Sequence, residues 1–144
     1  MNESFLNQHE CEAVVLTCMD FRFHEDLCRY VKHNMEVASF DLLAMAGSAK
    51  DLIENGPGKE AILRDFQISK ELHKADKIII VHHIDCGAYG GSKKFESRKK
   101  EIEFQKDQLY RAKNLIRSNK NLADMEVILL FVNEKDGKPE YIEV

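Results

Sequence analysis

Short β-favouring apolar runs alternate along this chain with longer stretches whose apolar residues recur at helical spacing. The runs at 13–17, 77–82 and 126–132 have the length and composition of strands buried on both faces. A further apolar segment, 37–45, ends at Ala46-Gly47-Ser48 and is expected to contain another strand. Between them, Leu27, Cys28 and Val31 predict a helix over 24–33, and Ile62, Leu63, Phe66 and Leu72 predict one from Lys59 to Lys74. Asn55-Gly56-Pro57-Gly58 breaks the chain before the second of these. Residues 93–119 are strongly charged with interspersed apolar positions and predict a long helix with a solvated face. Residues 1–12 show no period and predict a short helix or an arm. Asp136-Gly137 signals a turn, so that 141–144 pair back as a short antiparallel strand.

Buried strands alternating with helices predict an α/β fold of three layers. The central sheet is mostly parallel, with four strands and a short antiparallel C-terminal edge strand, and helices cover both faces. No repeat or linker divides residues 1–144, which are expected to form one domain.

Composition narrows the function. The chain is 44% hydrophobic and 32% charged, with a formal net charge of −4. Nucleic-acid binding needs a concentrated basic surface, which an acidic balance does not provide. No apolar run approaches the roughly 18 residues of a membrane span. The polar start MNESFLNQHE lacks the basic and apolar regions of a signal peptide, so a cytoplasmic location is expected. In that compartment the four cysteines are expected as thiols. Cys11 and Cys28 are expected to be inert.

The chemistry concentrates in VHHIDCGAYGG, residues 81–91, where a predicted strand ends and the chain turns. His83 and Cys86 are close enough in sequence to bind one ion. Zinc takes His nitrogen and Cys thiolate but prefers about four ligands, so two are too few. In parallel sheets, ligands bind at the carboxyl ends of strands where the strand order reverses. If the strands ending at Cys18 and at His83 are neighbours there, Cys18, His83 and Cys86 converge as a Cys2His set. Asp20 then either fills the fourth position or accepts a hydrogen bond from a bound water. Arg22 can pair with Asp20 and draw it away from the metal, whereas an unpaired Asp20 would be free to bind it. His82 is expected to face away from His83, Asp85 to cap the following turn, and Gly87, Gly90 and Gly91 to permit it.

The pattern C-x-D-x-R at Cys18, Asp20 and Arg22, then H-x-x-C-G at His83, Cys86 and Gly87, resembles the β-class carbonic anhydrases, in their small prokaryotic branch. The resemblance implies zinc (Zn2+) held by Cys18, His83 and Cys86, with Asp20 a possible fourth ligand. Asp20 and Arg22 match the catalytic dyad. The implied reaction is reversible hydration of carbon dioxide to bicarbonate by a zinc-bound hydroxide, in a homodimer or higher homo-oligomer. His24 and His82 are candidate proton relays by sequence proximity alone. Family members usually carry Arg-Asn-Ala-Gly after the second strand; here Ala44-Met45-Ala46-Gly47 stands in its place. Two alternatives therefore stay open: a COS or CS2 hydrolase on the same site, and a zinc-binding homologue without catalysis.

Overall fold

The computed structural model describes residues 4–144. Five strands form one sheet: β1 (Ala13–Cys18), β2 (Phe40–Met45), β3 (Lys77–His83), β4 (Glu126–Lys135) and β5 (Lys138–Glu143). Their order is β2-β1-β3-β4-β5. The first four run parallel and β5 pairs antiparallel with β4. Four α-helices connect them: α1 (His24–His33), α2 (Lys50–Glu54), α3 (Lys59–Leu72) and α4 (Arg98–Arg117). None is long and apolar enough to cross a membrane among the described residues.

Alternation along the strands sorts the core into two. Val14, Leu16, Ile78, Ile80, Leu129 and Phe131 meet Ile62 and Phe66 of α3 and Leu109, Ala112 and Ile116 of α4. Ala13, Val15, Ile79, Val81, Leu130 and Val132 meet Leu27 and Val31 of α1. Ile78, Ile79, Ile80 and Val81 are all fully buried. Burying each such side chain contributes about 1.5–3 kcal/mol, so β3 sits at the centre because nowhere else removes the whole run from water. Leu16 lies opposite Leu43 on one side and Ile80 on the other, so β1 and β3 are neighbours. From β1 the chain goes outward to β2, then returns to build β3 on the other side. The strand order reverses at the carboxyl ends of β1 and β3, where such sheets bind ligands.

The β4–β5 turn uses Asp136 and Gly137, both with positive φ (53° and 77°), the geometry of a two-residue hairpin. Two details differ from the sequence expectations. The 93–119 segment becomes helical only at Arg98. Gly90 and Gly91 have φ of 93° and 76°, and a 3-10 turn, Ser92–Lys94, intervenes. Ser97 then starts α4 by accepting the Lys100 N–H at 3.2 Å. Residues 50–54, where no helix is expected, form α2, which at five residues is too short to show a period. At the N-terminus the described residues form a 3-10 turn at Phe5–Asn7; residues 1–3 of the expected helix or arm lie outside them.

A candidate metal centre at the ends of β1 and β3

Cys18 closes β1, and His83 closes β3. After His83 the chain reverses through Asp85, whose φ is 57°, and brings Cys86 back toward β1. The Cys18 and Cys86 sulfurs lie 4.0 Å apart. The candidate ligand atoms of Cys18, His83 and Cys86 all fall within 4.8 Å of one another, and all three residues are buried.

The histidine is the decisive member. His83 Nδ1 lies 2.7 Å from the Ile84 carbonyl oxygen. A carbonyl only accepts, so Nδ1 carries the proton and Nε2 keeps its lone pair. That Nε2 is buried without a hydrogen-bond partner among the described residues. Leaving such an atom unsatisfied costs about 1–3 kcal/mol. An imidazole fixed by its second nitrogen on a backbone carbonyl, presenting the first beside two sulfurs, is how proteins hold a metal-ligating histidine. The donor set of two thiols and one imidazole nitrogen fits zinc. Cys18 is held well below the usual thiol range, chiefly by the hydrogen bond with Cys86, aided by the Gly47 and Asp20 backbone. That same bond, with burial, pushes Cys86 up.

Arg22 organises the rim. Its Nη2 donates to Asp20 Oδ2 at 2.7 Å and its Nε to both carboxylate oxygens at 3.0 and 3.1 Å. Its backbone N–H also reaches Asp20 Oδ1, at 2.8 Å. From its other edge Nη1 donates to Asp85 Oδ2 and Nη2 to the Asp85 carbonyl, each at 3.0 Å. The Arg22 hydrogen bonds hold the Asp20 carboxyl below its usual range. Asp20 is therefore turned to Arg22, while its Oδ2 stands 3.9 Å from His83 Nε2. Asp85 Oδ1 accepts the Ser92 N–H at 2.8 Å, the turn-capping role its position suggested. The Phe23 ring packs 4.7 Å from the His83 ring. A cavity of about 450 Å3 opens beside them, lined by Arg22, Phe23, His83, Asp85, Arg98 and Val132 among others.

His82 points to the opposite face, as alternation requires. Its Nε2 accepts the Ala49 N–H at 3.3 Å and its Nδ1 donates to Gln105 Oε1 at 2.8 Å. Burial pulls its pKa down to about 4. With both nitrogens engaged inside the core, it is not a proton relay, while His24 lies exposed at the start of α1. Replacing Gln105 by leucine strands the His82 N–H. We expect that variant to lose about 1–3 kcal/mol in urea unfolding, and an unchanged midpoint would show the pair to be dispensable.

Two residues behind the site carried no signal in the sequence beyond their spacing. Glu101 and Gln105 sit four apart on α4, followed by Gln108 and Leu109, so they share its inward face. The helix is not merely a solvated face. Glu101, 1% exposed, accepts the Asp85 N–H at 2.6 Å and so braces the turn that carries Cys86. Of the glycines, Gly87 has an ordinary φ and open space beside it, so the turn does not require it. Gly47 is required: its φ is 76°, and a Cβ there would fall 3.0 Å from the Ala88 Cβ. Beside it, the Met45 carbonyl accepts the N–H groups of Met19 and Ser48, which any residue provides. The Ala44 and Met45 side chains are accordingly apolar where polar ones were expected.

A family model described as "Putative carbonic anhydrase" matches residues 8–143. The chain belongs to that carbonic anhydrase family. Relatives by sequence include uncharacterized proteins of Rickettsia conorii, 26% identical over 122 residues, and Rickettsia bellii, 25% identical over 115. These matches cover 81% and 76% of this chain, and 65% and 70% of the two proteins. The chain thus spans about two-thirds of the length of the Rickettsia conorii relative. The carbonic anhydrase fold recurs in two solved structures. One is the Streptococcus mutans carbonic anhydrase, with a TM-score of 0.60 and 17% identity over 98% of this chain and 87% of that one. The other is a β-carbonic anhydrase of Trichomonas vaginalis, with a TM-score of 0.61 and 18% identity over 99% and 88%. These likenesses establish the α/β fold of this carbonic anhydrase homologue, including its antiparallel edge strand.

Proposed function

We propose that this chain is a zinc-dependent carbonic anhydrase that interconverts carbon dioxide and bicarbonate. The observation that carries the reading is the buried, unpartnered Nε2 of His83 facing the Cys18 and Cys86 sulfurs. Cys18, His83 and Cys86 would hold the ion. Bound there, zinc supplies Lewis acidity that brings the pKa of a water to about 7, so that a nucleophile exists at neutral pH.

The remaining roles belong to the chain. Asp20, kept ionised by Arg22, is a hydrogen-bond acceptor beside His83 and orients the attacking oxygen toward the substrate carbon. Arg22 fixes Asp20 in that role and ties it to the Cys86 turn through Asp85. Phe23 presents an apolar wall to an apolar gas. The proton released leaves to buffer without help from His82. The free edge of β2 and the exposed Met19 and Phe21 support a homodimer.

The Phe23 wall would also accept COS or CS2, so substrate choice needs its own measurement. Zinc-loaded protein is expected to hydrate CO2 well above the uncatalysed rate, and faster than it releases sulfide from COS. Faster sulfide release would transfer the assignment to a hydrolase on the same site. Neither activity, with zinc fully bound, would leave a zinc-binding homologue without catalysis.

A further inference from the structure

Three side chains converge a second time, at the opposite end of the sheet. Cys11 lies just before β1, Asp41 is the second residue of β2, and His73 follows α3 as its C-terminal cap. Asp41 Oδ2 is their hub: His73 Nδ1 is 2.7 Å from it and Cys11 Sγ 3.6 Å. The three candidate ligand atoms lie within 4.8 Å of one another. We propose that Cys11, Asp41 and His73 form a second metal site, for a zinc-type divalent cation. This assignment is independent of the ligands at the ends of β1 and β3. Six residues of β1 separate the two places, about 20 Å of strand.

The backbone already holds the ligands in place. The Cys11 N–H donates to the His73 carbonyl at 2.9 Å, and the neighbouring Glu12 N–H to Ser39 at 3.0 Å. The His73 N–H caps α3 on the Ser69 carbonyl at 3.1 Å. Little chain entropy remains to be lost on binding. The C-terminal end of a 14-residue helix favours a cation beside it. The His73 and Asp41 side chains are 45% and 32% exposed, so an ion enters from solvent.

A surface ion pair of His73 with Asp41 would account for two of the three groups, and such pairs contribute at most about 1 kcal/mol. The Cys11 thiol reaches the same oxygen as a weak donor, and the Ala13 carbonyl at 3.4 Å, a contact the ion pair does not require. Nor does the ion pair explain Ser69, one turn before His73. That side chain is 2% exposed and makes no well-formed hydrogen bond, although it lies close enough to lower both Asp41 and Cys11. Burial and Asp41 together push the Cys11 thiol up, so binding releases its proton. One sulfur, one imidazole nitrogen and one carboxylate oxygen select zinc-like ions over calcium or magnesium, which take oxygen alone. Three protein ligands leave the fourth position to water.

Cobalt(II), which reports thiolate ligation by its near-ultraviolet absorbance, provides the test. Protein carrying a single zinc per chain should take up one further Co2+ per chain with that absorbance. Cys11→Ala and His73→Ala should lose it, and Cys86→Ser should keep it. Uptake unchanged in Cys11→Ala would overturn the proposal, whereas uptake lost only in Cys86→Ser would assign it to the other site. A measurement on the unaltered chain stands beside these. Zinc should slow alkylation of Cys11 by iodoacetamide, followed by mass spectrometry, at least about tenfold, because a ligated thiolate is not free to react. An unchanged rate would also sink the site, whatever the variants do.

Discussion

Replacing Cys86 by serine is expected to remove one zinc per chain and, with it, the hydration of carbon dioxide. The sulfur lies 4.0 Å from Cys18 and is 3% exposed, and the nearby Asp20 carboxylate is held by Arg22 rather than free to replace it. Losing an outer-shell partner of a metal ligand costs about 10–100-fold in affinity or activity. Losing a ligand should exceed that range, and activity should fall to background. Serine is the apt replacement because it keeps the volume and changes only the donor. Metal analysis of wild type and variant after dialysis against a chelator reads the first half, and a stopped-flow CO2 assay the second. Equal zinc in both proteins would remove the β1/β3 site from the account. Zinc lost with activity retained would mean that catalysis does not use it.

Arg22→Ala should show the converse pattern. None of the three ligands bonds directly to Arg22, and the Cys86 turn keeps its Glu101 brace, so the ion is expected to stay. Asp20 then loses its bonds to Nε and Nη2, retaining only the backbone N–H of residue 22. Its Oδ2 already stands 3.9 Å from His83 Nε2 and is free to move toward the metal position. The turn at Asp85 also loses its tie to the segment between β1 and α1. We expect kcat/KM to fall by about 100-fold, the upper range for an outer-shell residue, with the zinc content unchanged. Arg22→Lys should restore little, since a point charge cannot hold Asp20 and Asp85 from two edges of one plane. Full activity in Arg22→Ala would leave Asp20 needing no such support.

Much of this was legible in the sequence, and what was not has a physical reason. β1, β3 and the middle of β4 announced themselves because they are buried on both faces and therefore apolar. Alternation along the strand alone separates His83 from His82. Cys18 could be linked to His83 and Cys86 because parallel sheets bring strand ends together at a reversal of order. The brace from Glu101 and Gln105 was hidden, since polar residues on a charged helix look solvated until the sheet beneath is known. Cys11, Asp41 and His73 were hidden more deeply. They belong to three elements, share no motif, and meet because β2 pairs beside β1 while α3 ends above them. The five-residue α2 was too short to display a period.

The separation of Cys18 from Cys86 by 68 positions has a consequence for how the protein reaches its native state. Until β1 and β3 pair, the chain offers an ion only His83 and Cys86, a weak two-point grip. The third donor arrives with a long-range parallel contact, the slowest kind for a chain to make. On the proposed reading, tight capture would therefore be a late event, and the ion would distinguish the finished sheet from its precursors. Held there, zinc would fasten β1 and β3 together at their carboxyl ends. Unfolding must release it before those strands part, so zinc should lengthen the lifetime of the folded chain more than it hastens folding.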